Sequence, residues 1–255
     1  MTAISPNPEK TEVYYPSSDG KPLAETYDHL YAILTTLEVL KQHLSGCRVT
    51  VLADQFLYYN EGFPRMRVAP DVMVIFDVEP GGRDNYKIWE EGQVPKVIFE
   101  MTSKSTQGED LAFKKTLYEQ LEVQEYWLFD PKGEWISEQL RGYQLLEGRY
   151  FPIFDSRSNV LQLRLAIEGK LIGFYREDTG EKLLIPDELA SAVRQKTQEV
   201  LEAQELAERE RTRAQEAEAR AERERTRAQE AEDRAEQMEA MLRQYRDRFG
   251  DLPSE

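Results

Sequence analysis

The chain has one cysteine, Cys47, and two histidines, His29 and His43. One thiol excludes an intrachain disulfide and a thiolate metal cluster, and two imidazoles are too few for a zinc cluster. No run approaches the ~18 apolar residues of a membrane-spanning helix. The N-terminus, MTAISPNPEKTEVYY, lacks the apolar core of a signal peptide. These absences lead to the expectation of a soluble, cytoplasmic protein. Basic residues are also in deficit, with 33 Lys and Arg against 48 Asp and Glu, a net charge of -15. A protein that grips nucleic acid mainly through phosphates usually carries a basic stripe, so this balance argues against tight non-specific binding. It does not exclude a nuclease, because bound metal ions offset negative charge where a phosphate approaches. Gly81 and Gly82 form a turn and not a phosphate-cradling loop, and Ser17, Ser103 and Ser105 have no histidine in a plausible triad order.

At 255 residues the chain has room for one well-buried domain and an appendage, and its composition changes abruptly near Pro186. Residues 1–186 carry nearly all the aromatic, Gly and Pro content. Residues 187–255 are rich in Ala, Glu, Gln and Arg and should be helical. That tail holds 13 Lys and Arg against 19 Asp and Glu, a net of -6, which leaves -9 on the front domain. AERERTRAQEAEAR at 207–220 recurs as AERERTRAQEAEDR at 221–234. Ala207, Ala214, Ala221, Ala228 and Ala235 recur every seven residues, but the companion seam position alternates Ala217 and Ala231 with Glu210 and Glu224. The pattern fits two readings equally: a weak coiled coil, or a single solvated helix held by Glu–Arg pairs.

In the front domain, Leu30, Ile33, Leu34, Leu37, Leu40 and Leu44 recur at helical intervals within 25–44, and Gly46 closes that helix. Short β-rich runs follow at 48–52, 55–59, 71–77 and 96–101. Residues 109–121 read as a helix and 125–130 as a buried strand, a strand–helix–strand crossover within a mixed sheet. WISEQL, GYQLL, RYFPIF, VLQLRLAI and LIGFYRED read as antiparallel strands that extend or flank it.

Alternation places Asp71 on one strand face with Met73 and Ile75, and Glu100 with Ile98 and Thr102. If the two strands are neighbours, both carboxylates meet at one edge of the sheet, an oxygen-only pair suited to Mg²⁺ or Mn²⁺. Otherwise they are ordinary solvent-facing acids at strand ends. Asp110, Lys114 and Tyr118 lie on one strip of the following helix, beside an apolar stripe of Phe113, Leu117 and Leu121. Lys114 then points to the sheet, while Lys115 and Glu119 face outward. The alternative is a surface Asp110–Lys114 pair worth a few tenths of a kcal/mol. Trp89, Trp127 and Trp135 read as packing residues.

APDVMVIF, VIFEMTSKST and EDLAFKKTLYEQLEVQEYWLFDP together resemble the Uma-type family of restriction endonucleases, a branch of the PD-(D/E)XK nuclease superfamily, over roughly residues 15–175. The resemblance implies a restriction-endonuclease-like α/β core with a central mixed sheet flanked by helices, to which the residue patterns add extra antiparallel strands and, outside the match, a long C-terminal helix. It makes Asp71 and Glu100 the metal-holding acids, joined by the backbone carbonyl of Met101, with Mg²⁺ or Mn²⁺ as cofactor and DNA as substrate. The superfamily lysine normally stands two residues after the second acid, where this chain has Thr102. The resemblance implies that the lysine has moved to the helix, with Lys114 the best substitute and Lys104 the runner-up. Glu25 resembles the superfamily's helix-borne acid, or else serves as a first-turn acid favouring the helix dipole. Three functions compete: an endonuclease, a non-catalytic nuclease-fold module for binding or assembly through the tail, and a hydrolase of another phosphate ester. The alanine heptads, and the usefulness of two-fold symmetry for cutting two strands, point to a homodimer formed through the tail.

Overall fold

A computed structural model describes residues 13–20, 25–103, 106 and 108–250 of the chain. The first half runs α1 (Tyr27–His43), β1 (Val49–Ala53), β2 (Leu57–Tyr58), β3 (Arg67–Val68), β4 (Val72–Phe76), β5 (Tyr86–Lys87), α2 (Ile88–Glu91) and β6 (Val97–Met101). A π-helical segment, Glu109–Lys114, then passes directly into α3 (Lys115–Gln120), and β7 (Glu125–Phe129) follows. After it come β8 (Leu140–Leu146), β9 (Arg149–Ile153), β10 (Arg157–Ser158), β11 (Leu163–Glu168), β12 (Leu171–Arg176), β13 (Lys182–Leu183) and α4 (Pro186–Phe249).

Six strands form the central sheet in the order β1-β4-β6-β7-β8-β9. Each neighbouring pair is antiparallel except β6 and β7, which run parallel. Parallel neighbours need a crossover, and the π segment with α3 provides it. Because side chains alternate along a strand, the two faces have separate cores. Val72, Val74, Val97, Phe99, Trp127 and Phe129 pack with α1 and with Leu163, Leu165, Ile172 and Phe174 of a second sheet, β10-β11-β12-β13. On the opposite face, Met73, Ile75, Ile98, Tyr126 and Leu128 pack with Leu117 and Tyr118 and with Leu57, Val68 and Tyr86 of a small sheet, β3-β2-β5. The mixed sheet, the flanking antiparallel strands and the long C-terminal helix agree with the expected fold class.

Four local expectations need correction. Leu30 and Leu34 are 40% and 47% exposed, and α1 buries Ala32, Ile33, Thr35, Thr36, Val39 and Leu40 instead. Threonine tolerates that face because its hydroxyl bonds back along the helix, as Thr35 Oγ1 does to the Tyr31 carbonyl at 2.8 Å. The run at 55–59 pairs as a strand only at Leu57–Tyr58. WISEQL is no strand: the carboxylate of Asp130 accepts backbone N–H groups from Lys132 (3.0 Å), Gly133 (2.9 Å), Ile136 (3.0 Å) and Trp135, curling the chain into a turn. Glu25 stands before the helix and not in its first turn, since Thr26 is the N-cap and accepts the His29 N–H at 3.4 Å.

The chain separates into two compact units, Met1–Leu189 and Ala190–Glu255. Taken by itself, the second contains residues 190–248 as a continuous, solvent-exposed stretch of α4. Ion pairs four residues apart run along it, among them Arg209–Glu205 (3.6 Å), Arg220–Glu224 (3.3 Å) and Arg234–Glu230 (3.7 Å). Each exposed pair contributes only ~0.3–0.5 kcal/mol, so helicity here comes from many small terms. Among the described residues, no helix is long and apolar enough to cross a membrane.

Gly142 on β8 faces Trp127 on β7, and a Cβ there would lie 2.5 Å from Trp127 Cζ3. Because the ring is buried and backed by Phe99, it has little room to yield. Gly142→Ala is expected to cost about 1–3 kcal/mol through overpacking. Urea denaturation checks this, and an unchanged midpoint would mean that the Trp127 ring can shift.

Candidate active site

The site begins with the pairing of β4 and β6. Their register matches Val72 with Phe99 and Met73 with Ile98, so the next step sets Asp71 beside Glu100. Asp71 Oδ2 accepts the backbone N–H of Met101 at 2.5 Å, tying the acid to the neighbouring strand. Glu100 is only 1% exposed. Its Oε2 accepts from Lys114 Nζ at 2.7 Å and its Oε1 from the Tyr118 hydroxyl at 2.7 Å. Lys114 Nζ also lies 3.1 Å from Asp110 Oδ1, so one buried ammonium serves two buried carboxylates.

The π-helical turns decide which residues on this segment point inward. Their i→i+5 bonding turns the chain less per residue than an α-helix does, and such turns are frequent at functional sites. Lys114 and Asp110 are buried here, but Phe113 is 53% exposed and leaves the apolar stripe expected of it. Lys115 and Glu119 are half-buried instead of outward-facing: Lys115 Nζ lies 4.0 Å from the Tyr143 ring centre, and Glu119 accepts the Tyr150 N–H at 2.6 Å. The Tyr126 hydroxyl donates to the Asp110 carbonyl at 2.9 Å and anchors the segment to β7.

His29, which sequence reasoning dismissed with the zinc cluster, also belongs to this region. Its Nε2 lies 3.6 Å from Glu25 Oε2 and 3.8 Å from Asp71 Oδ2. The i,i+4 spacing of Glu25 and His29 was visible, but their proximity to Asp71 depends on where α1 sits against the sheet. Asp54, likewise unnoticed, follows β1 with φ +51°, and its N–H faces the carbonyls of Pro70 and Asp71 at 3.2 and 3.3 Å. Thr102 is 2% exposed, and among the described residues its hydroxyl has no hydrogen-bond partner. Lys104, the runner-up lysine, lies outside the described residues.

Burial pushes the Glu100 carboxyl up to about 7, against the pull of Lys114. Burial, and then the charge of Glu100, hold Asp71 well above its ordinary value. For Lys114, burial alone would lower the pKa, but Glu100, Asp110 and Asp71 outweigh it and raise the pKa above that of an ordinary lysine. The site is therefore short of positive charge. Its donors are carboxylate oxygens, which suit a hard divalent cation. Among the described residues no group of three or more His, Cys, Asp or Glu side chains is arranged to hold an ion, so Asp71 and Glu100 would need a backbone carbonyl or water to complete a shell.

The family described as "Uma2: Putative restriction endonuclease" matches residues 7–171, and this chain belongs to it. No curated protein matches the chain. Among solved structures, the crystal structure of "a putative nuclease" from Anabaena variabilis is similar, with 13% identity and a TM-score of 0.39 over 55% of this chain and 77% of that one.

The charge balance at Lys114 gives stability a definite pH dependence. Glu100 has a folded pKa of about 7 against an ordinary 4.5, so its neutral form contributes stability that is fully present below about 4.5 and lost as pH rises through 7. Lys114→Met removes the counter-charge and strands the ionised acids. The expected cost is about 3–5 kcal/mol at pH 8 and clearly less at pH 5, where the carboxyls take up protons. Urea denaturation at the two pH values measures it, and an equal loss at both would show that Lys114 acts through packing alone.

Proposed function

We propose that the chain is a cytoplasmic, divalent-metal-dependent DNA endonuclease in which Lys114, carried by a helix, replaces the strand lysine that Thr102 leaves missing. The observation that carries this reading is the 2.7 Å contact between Lys114 Nζ and Glu100, with Asp71 alongside on the paired strand. Asp71, Glu100 and the Met101 carbonyl would hold the ion. Bound there, Mg²⁺ or Mn²⁺ supplies Lewis acidity and neutralises charge on the phosphoryl group. Lys114 stays protonated throughout the neutral range and offers a preorganised positive charge to the phosphoryl oxygens as negative charge develops on them. Tyr118 holds Glu100 in orientation through its hydroxyl. Glu25 bears on Asp71 through His29, the place where a second acid could steady a water. The exposed, free Cys47 suits a reducing compartment.

A second reading is a non-catalytic module that keeps the fold and works through its tail. It is favoured by the way Lys114 is already satisfied by Glu100 and Asp110, as in a purely structural ion triad. Cleavage of circular and linear DNA in Mg²⁺ and Mn²⁺ separates the two. Wild type should cut, Asp71→Ala should lose activity by roughly 10³-fold or more, and Lys114→Ala by roughly 10²–10³-fold, as expected for loss of electrostatic stabilisation. Calorimetry should find metal binding abolished in Glu100→Ala and largely kept in Lys114→Ala. Cutting that survives Asp71→Ala, or is absent with every metal, sinks the nuclease site.

The tail belongs to the same proposal, as the element through which two copies pair. Its support is the alanine heptad together with Met238, Met241, Leu242 and Tyr245, exposed at three- and four-residue intervals near the end of α4. Light scattering of the full chain should give twice the mass of one copy, falling to a single copy when residues after 189 are removed. The same mass per chain in both forms would make α4 a single solvated helix or a site for another partner.

A further inference from the structure

Beside the two carboxylates lies a cleft of about 590 Å³ lined by Glu25, His29, Thr102, Asp130, Lys132 and Trp135. We propose that it holds a nucleobase turned out of its stack, next to the phosphate being cut, so that the preferred substrate is DNA with unpaired nucleotides. This rests on the nuclease function proposed above. Two of the residues that line it, His29 and Thr102, are 5% and 2% exposed, and among the described residues the buried His29 Nδ1 and Thr102 Oγ1 have no hydrogen-bond partner. Buried polar groups are costly unless something bonds them, and the hydrogen-bonding edge of a base offers both donors and acceptors. His29 is aligned for such a role because its other nitrogen faces Glu25 and Asp71.

The aromatic wall is held in place. Asp130, at the end of β7 and fully buried, gathers the N–H groups of Lys132, Gly133, Trp135 and Ile136, and so holds the turn that carries half-buried Trp135. Bases stack on such faces with little regard to sequence. Charge selects the base over its phosphate: among the described lining residues, Glu25, Asp130 and Glu134 stand against Lys132, so an anion is repelled where a flat neutral group is not. The volume lies within the range of small-ligand clefts. Thr102 stands two residues beyond Glu100, ~6–7 Å along the strand, so base and phosphate sites adjoin. Extruding a base is cheapest where it is already unpaired, which sets the order of substrates.

The test is binding by the full chain in Ca²⁺, followed by fluorescence anisotropy of a labelled single-stranded oligonucleotide and of the duplex of the same sequence. Wild type should bind the single strand more tightly. Trp135→Ala should weaken single-strand binding roughly 5- to 100-fold, the range for loss of one stacking face, while Trp135→Phe keeps most of it and duplex binding stays unchanged. Equal loss on both DNAs, or single-strand affinity unaffected by Trp135→Ala, overturns the base cleft while leaving the nuclease reading standing. No binding of either DNA by wild type overturns both.

Discussion

The Lys114 ammonium is buried with Glu100 and Asp110, and within the field of Asp71, and the surrounding structure is arranged around that charge. Pairing β4 with β6 brings two acids together in a place where burial already disfavours their ionisation. Without a cation, one of them must stay protonated near neutral pH. The helix after β6 supplies that cation, and its π-helical turns, bonded to β7 through the Tyr126 hydroxyl, aim it. Tyr118 takes up the remaining oxygen of Glu100. The result is a rigid, hydrogen-bonded acid that still carries more negative charge nearby than one ammonium can neutralise.

Sheet topology explains why the site lies where it does. β6 and β7 are the only parallel neighbours in the central sheet, and their carboxyl ends open side by side. Thr102 and Asp130 follow directly from those ends, and the N-terminus of α1 brings Glu25 and His29 to the same place. Crevices outside the carboxyl ends of parallel strands are where open α/β sheets bind ligands, since the chain departs there in loops and is not committed to further pairing. Here the loop after β7 is no slack connection. Asp130 bonds four of its amides, so Trp135 is presented by a built turn.

Much of this was legible beforehand. The apolar runs at 71–77, 96–101 and 125–130 became β4, β6 and β7, and the helix between the last two implied their parallel pairing. Lys114 stood out from Lys115 by spacing alone. Other features depended on forces that periodicity does not record. Phe113 turned outward because the chain entered a π-helical turn, a choice made by tertiary anchoring and not by residue type. Leu30 and Leu34 remained exposed because α1 seats its threonine-bearing face on the sheet. WISEQL lost its strand to a single buried carboxylate that captured four backbone donors.

The sequence by itself determined the alternation that puts Asp71 on one strand face with Met73 and Ile75 and Glu100 on one with Ile98 and Thr102, the strip that carries Asp110, Lys114 and Tyr118, the absence of a strand lysine at Thr102, and the helical tail, because each follows from local periodicity or residue identity. Only the tertiary structure decided that the acids are neighbours, that Lys114 reaches Glu100, and that His29 meets Asp71 from 42 residues away. Those are contacts between elements, set by sheet order and by how α1 docks. Nothing local in the chain states them, since the free energy that selects them comes from burying both faces of the sheet at once.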